Sequence, residues 1–198
     1  MSLIKSIAVF CASSAGNHPK YQEIAAHCGR YFANNTIELV YGGGNVGLMG
    51  SVANACMLAG GKVYGVIPHF FKRREVAHPN ITKLDYVDTM HERKWRIYEA
   101  SDAFVILPGG LGTMDEFFEV LTWAQIGIHR KPIGILNQDS FYDLLIQFMH
   151  KMVAEGFVKD INLALVIIEP TIEKLVNRLV EFDSSSIPRF LNEDEVVV

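Results

Sequence analysis

Ile37-Glu38-Leu39-Val40-Tyr41-Gly42-Gly43-Gly44-Asn45-Val46-Gly47-Leu48-Met49-Gly50 is an aliphatic run that breaks into glycines and then into small residues. It reads as a strand, Ile37 to Tyr41, a tight turn, and a helix to about Leu58 that Gly60-Gly61 stops: one βα unit. The same grammar returns at Ala103 to Leu107, which runs into Pro108-Gly109-Gly110-Leu111-Gly112-Thr113 and a helix from Thr113 to about Ile128. Working outward, strands are expected at Ile4–Cys11, Val63–Ile67, Ile81–Val87, Ile133–Leu136 and Leu163–Ile168. Helices are expected at Pro19–Asn34, His91–Ala100, Phe141–Ala154 and Thr171–Phe182. Repeated βα units dictate an α/β fold with a mostly parallel sheet of about seven strands. Pro68 to Asn80 is the least regular stretch and a candidate active-site loop.

The 198 residues fit one compact domain, expected over 1–183, with a polar C-terminal tail at 184–198. Apolar residues at 49% and charged residues at 20% exclude a disordered chain. The longest apolar runs, Ile7–Ala12 and Leu163–Ile168, fall far short of the roughly 20 residues that span a bilayer. With a net charge of −4 and no basic cluster larger than Lys72-Arg73-Arg74, nucleic acid and membranes are poor partners. Cys11, Cys28 and Cys56 are scattered and odd in number, as in a reducing compartment. Met1 to Lys5 leads straight into a strand without a signal-peptide core, so a cytoplasmic protein is expected.

Both glycine turns sit between a strand and a helix, where parallel sheets bind ligands and helix N-termini attract anions. Glycine there serves either a tight turn or a backbone that must approach phosphate closely. Gly43, Gly44 and Gly47 are candidate phosphate-loop residues. Gly42-x-Gly44-x-x-Gly47 matches the dinucleotide fingerprint, yet it follows the second strand, and Ser51 to Arg74 contains no acid to hold a ribose hydroxyl. A P-loop is excluded, because Leu48-Met49 stands where Lys and Ser or Thr are required.

Thr113-Met114-Asp115-Glu116 has capping-box spacing, which alone would account for Glu116; beside an anion site, the same carboxylate could face an electron-poor sugar carbon instead. On the short helix Arg96 has Glu92 and Glu99 at pairing distance along the sequence, whereas Arg93 and Lys94 have no acid three or four residues away. An Arg without a local partner is either solvated or reserved for an anion or carboxylate. Glu75 offsets Lys72, Arg73 and Arg74. The seven histidines lack metal-ligand spacing, so neither metal nor cofactor is expected, and Ser13-Ser14 lacks a nucleophile elbow.

Three segments, Gly42 to Gly50, Met90-His91-Glu92-Arg93-Lys94, and Pro108-Gly109-Gly110-Leu111-Gly112-Thr113-Met114-Asp115-Glu116, resemble the signatures of the LOG (LONELY GUY) family, cytokinin riboside 5′-monophosphate phosphoribohydrolases often labelled lysine decarboxylases. The similarity in order and spacing runs from about Ile7 to Phe182. It implies a Rossmann-like three-layer sandwich, a homodimer with the active site near the subunit interface, and hydrolysis of adenine-type nucleoside 5′-monophosphates to free base and ribose 5-phosphate. By position it implies Arg93 and Glu116 as catalytic. It likewise implies Glu75, Lys94, Gly110, Leu111, Gly112, Thr113, Met114, Asp115 and Thr122 as substrate-binding. Phe70, Phe71, Met90 and Trp123 are candidates for the wall facing the base. Nothing marks a Schiff-base lysine in a pyridoxal-phosphate setting, so the decarboxylase label has no chemical support. A nucleotide carrier or sensor of the same fold, or an NAD(P)-dependent oxidoreductase using Arg73 or Arg74, are the competing readings.

Overall fold

A computed structural model describes residues 4–74 and 76–183. Seven strands form one sheet: β1 (Ser6–Phe10), β2 (Glu38–Tyr41), β3 (Val63–Pro68), β4 (Lys83–Val87), β5 (Ala103–Ile106), β6 (Ile133–Leu136) and β7 (Val166–Glu169). Their order is β4-β3-β2-β1-β5-β6-β7, and every pairing is parallel. The helices are α1 (Lys20–Asn34), α2 (Gly47–Leu58), α3 (Met90–Glu99), α4 (Leu111–Gln125), α5 (Asp143–Ala154), the short α6 (Asp160–Leu163) and α7 (Ile172–Glu181).

Alternation along the central strands divides the core in two. Ile7, Val9, Leu39, Tyr41, Val105 and Leu107 face α1, α2 and α7, whose Ile24, Val52 and Leu175 meet them. Ala8, Phe10, Val40, Val66, Phe104 and Ile106 face the opposite layer, with Ile97 of α3, Phe117 of α4 and Met149 of α5. Strands buried on both faces need apolar residues at every position, which is why they read as continuous runs. The result is the expected three-layer α/β sandwich.

The strand order reverses at β1, which pairs with β2 on one side and β5 on the other. There the chain leaving β1 and the chain leaving β5 lie side by side, and the Ala12 amide donates to the Pro108 carbonyl at 3.1 Å. A crevice at the carboxyl end of the sheet follows from this topology.

Four boundaries differ from expectation. Leu163 to Ile168 is not one strand: Asn162, Ala164 and Leu165 bond back to Lys159, Asp160 and Asn162, making a helical turn, and β7 begins only at Val166. A short apolar run carries no periodicity that separates the two. β4 begins at Lys83 rather than Ile81, because pairing with β3 starts at Lys83 opposite Tyr64; Ile81, ahead of it, packs onto the core. The stretch after Pro68 contains a 3₁₀ segment, His69–Arg74, and Ala77 bridges Gly44 in antiparallel fashion. α4 begins at Leu111, two residues before Thr113, with consequences for the site. The expected tail, 184–198, and Glu75 lie outside the described residues.

Candidate active site

A cavity of about 390 Å³ occupies the crevice at the switch point. Cys11 to Ser14 line it from the end of β1, Gly42, Gly44 and Val46 from the first glycine turn, and Ile67, Phe71 and Val76 from β3 and the stretch beyond. Met90 and Arg93 of α3 and Gly110 to Thr113, Asp115 and Glu116 at the start of α4 complete the wall. Each wall stands at the carboxyl end of a strand or the amino end of a helix.

At the foot of the cavity Arg93 Nη1 donates to Glu116 Oε1 at 2.7 Å, and both side chains are only 11% exposed. The partner that Arg93 lacks along α3 is therefore supplied 23 residues later, by α4. Thr89 caps α3, accepting from the Glu92 amide at 3.1 Å, and this start places Arg93 on the buried side with Ile97. Burial raises the Glu116 carboxyl above the ordinary carboxylate range; Arg93 and Lys94 oppose the rise, and Asp115 adds to it. Burial and the Glu116 charge also push the neighbouring Cys11 thiol up, so it is not a nucleophile at neutral pH.

The capping box does not form. The N-cap of α4 is Gly110, with no side-chain cap, and Thr113 lies inside the first turn, 3% exposed. Glu116, turned to Arg93, has no capping duty. The first i to i−4 bond of α4 runs from the Met114 amide to Gly110, so the Leu111, Gly112 and Thr113 amides precede the helical ladder. α2 differs: its Leu48 and Met49 amides both donate to the Ala12 carbonyl, at 3.1 and 3.3 Å. The fingerprint-like turn thus spends on the protein itself the amides that a pyrophosphate would need.

Of the expected residues, Arg93, Glu116, Gly110, Leu111, Gly112, Thr113, Asp115 and Gly44 meet at this cavity. Gly43 and Gly47 lie behind its lining, against Ile67 and Leu84 and against the Ser13–Ser14 backbone. Lys94 points away, pairing with Asp115 at 2.8 Å and Glu119 at 3.2 Å. Met114 and Thr122 face a separate surface hollow with Phe118, Glu119 and Trp123. Among the suggested base-facing residues Phe71 and Met90 line the cavity; Phe70 packs at a tilt against Phe71, and Trp123 packs edge-on against Trp95 and Tyr98. Glu75 lies outside the described residues. Sequence reasoning passed over Ser13, Ser14 and Val76 as site-lining residues; the signal for the first two is their position after β1, legible only once β5 is known to be its neighbour.

Comparison with known proteins bears on this geometry. A family model described as "Possible lysine decarboxylase" matches residues 49–179. The cytokinin riboside 5′-monophosphate phosphoribohydrolase LOG7 of Arabidopsis thaliana is 45% identical over 182 residues, 92% of this chain and 84% of that protein. The corresponding enzyme LOG of Oryza sativa subsp. japonica is 43% identical over 181 residues, covering 91% and 75%. Among solved structures, the molybdenum cofactor carrier protein of Chlamydomonas reinhardtii superposes with a TM-score of 0.68 at 18% identity, over 89% of this chain and 98% of that one. That last likeness is one of fold.

Proposed function

The chain belongs to the LOG family of cytokinin riboside 5′-monophosphate phosphoribohydrolases, and on that premise we propose that it hydrolyses the N-glycosidic bond of adenine-type nucleoside 5′-monophosphates through Glu116 and Arg93. The products are free base and ribose 5-phosphate. The observation that carries this reading is the buried Arg93–Glu116 pair at the foot of the cavity, next to the open amides of α4.

Cleaving the bond builds positive charge on the anomeric carbon, and a carboxylate beside it stabilises that charge or takes a proton from the attacking water. Burial alone would favour protonated Glu116, and the Arg93 guanidinium favours the anion, so the pair keeps a carboxylate in a dry site. The 5′-phosphate sits at the Leu111, Gly112 and Thr113 amides, where the helix dipole and unpaired N–H groups suit an anion. Binding energy gathered there positions the sugar for reaction. As pH falls through the raised Glu116 value, the carboxyl is neutralised and turnover declines. A carrier would leave the buried ion pair without work, which disfavours the non-catalytic reading.

AMP and cytokinin riboside monophosphates are the substrates we propose, with residues 1–183 as one domain. Lys94, Met114 and Thr122, which the family resemblance assigns to substrate, lie on a surface next to the cavity rather than in it. We therefore propose a homodimer in which a second copy covers this face. Three free, buried cysteines favour a reducing cytoplasm. Among the described residues no helix is long and apolar enough to cross a membrane.

The test is Glu116→Gln. It keeps nucleotide binding by calorimetry and loses adenine release from AMP by about 10²- to 10⁴-fold in kcat. Wild-type turnover in that variant would remove Glu116 from the mechanism.

A further inference from the structure

Gly42 follows β2 directly and opens the first glycine turn, but its backbone does not explain why it is glycine. Positive φ occurs at Gly43, +71°, and Gly47, +56°, and not at Gly42. What bars a side chain is Arg93. A Cβ on Gly42 would stand 1.8 Å from Nη2, 2.9 Å from Cζ and 3.3 Å from Nε of that residue. The guanidinium lies across the face that Gly42 leaves bare, while its other terminal nitrogen, Nη1, reaches Glu116.

We infer that Gly42 is a positioning residue for the reaction proposed above: its missing side chain is the seat of the Arg93 guanidinium, and through that seat it sets the geometry of the Arg93–Glu116 pair. The inference rests on that proposed reaction for its consequence in turnover, and on the packing alone for its consequence in geometry. The atoms in the way belong to the far end of a flexible side chain, not to backbone. An alanine is therefore accommodated by moving the guanidinium rather than by distorting β2. Strand and turn survive; the ion pair does not keep its 2.7 Å contact. Charged and titratable groups around Glu116 are Arg93 and Lys94 of α3, Asp115 of its own helix and Cys11 of β1. Lys94 and Asp115 are held by each other at 2.8 Å, independently of Gly42.

A double-mutant cycle tests this with two readouts. In the full chain, Gly42→Ala should lower kcat for AMP hydrolysis by about 10²-fold, the scale of an ångström-sized misplacement of a reacting group. In an Arg93→Ala background, the same substitution should change the residual kcat by less than about twofold, because the atoms it displaces are gone. Independently of turnover, carbon-detected NMR of the Glu116 carboxyl should show its titration moving to higher pH in Gly42→Ala relative to wild type, and not moving between Arg93→Ala and the double variant. Equal losses of kcat in both backgrounds, or an unmoved Glu116 titration in Gly42→Ala, would overturn the inference. If Arg93→Ala turns over like wild type, the catalytic reading of Arg93 fails, while the titration still decides whether Gly42 seats it.

Discussion

Two turns of nearly equal glycine content follow β2 and β5, yet they are built on opposite principles. In the first, a Cβ on Gly43 would meet Ile67 and Leu84 at 3.0 Å, and one on Gly47 would meet the Ser13–Ser14 backbone at 2.4 Å. Its helix amides are spent on Ala12. In the second, a Cβ on Gly110 or Gly112 would meet nothing within 4 Å among the described residues, and the amides ahead of Met114 have no helical acceptor. The first turn lacks side chains because the protein fills the space; the second, beyond Gly109, whose bare face Thr113 fills, lacks them around space that a ligand can fill. The helix after each turn also bonds a buried histidine whose neutral form burial favours. His78 bonds Gly43 through its amide and Asn54 through Nε2, while His129 donates from Nε2 to the Val120 carbonyl of α4 at 2.8 Å and accepts the Lys131 amide on Nδ1.

The contrast breaks first at Gly47. A left-handed φ of +56° and backbone atoms 2.4 Å from any Cβ leave no flexible group to yield. Gly47→Ala should cost about 3 kcal/mol or more in urea unfolding, the sum of conformational strain and overpacking. A loss below about 1 kcal/mol would mean that the first turn is as open as the second.

These two histidines give the next largest effect. Burial lowers His129 from an ordinary 6.5 to about 4, and lowers His78 as well. A base whose folded value is depressed takes up its proton more readily unfolded, so stability is intact above pH 6.5 and is lost as pH falls from there towards 4. For His129 the loss is about 3 kcal/mol. In a His129→Gln variant, whose amide can donate to Val120 without titrating, the acid slope of melting temperature between pH 6.5 and 4 should flatten. An unchanged slope would place the acid sensitivity elsewhere.

The sheet was legible because strands buried on both faces carry uninterrupted aliphatic runs, and the glycine turns mark where each run ends. Contacts between distant elements were not legible. Arg93 and Glu116 each suggested an absent or a wrong partner when read along their own helices, since the bond between them depends on α3 and α4 being adjacent. The start of α4 was misplaced for a related reason: Thr113 has the composition of an N-cap, but Gly109 leaves room for it to pack inward, its Oγ1 only 2.1 Å from where a Gly109 Cβ would be. Trp123 reads as a ligand-wall candidate because aromatic residues near a motif look alike in sequence; its edge-on contacts with Trp95 and Tyr98 appear only in three dimensions.

The smallest effect is the sharpest on function. Gly112 lies in the first turn of α4 with open space where a Cβ would go, and its φ is not positive. Gly112→Ala should therefore leave the fold unharmed, or stabilise it by up to about 1 kcal/mol through helix propensity. The methyl group instead enters the volume proposed for the 5′-phosphate, and inhibition by ribose 5-phosphate should weaken about tenfold, some 1.4 kcal/mol. Stability and affinity then move in opposite directions at this turn, whereas at Gly47 it is the stability of the fold that falls. Undiminished inhibition by ribose 5-phosphate would mean that the open amides of α4 are not where the phosphate binds, and the two turns would differ in packing alone.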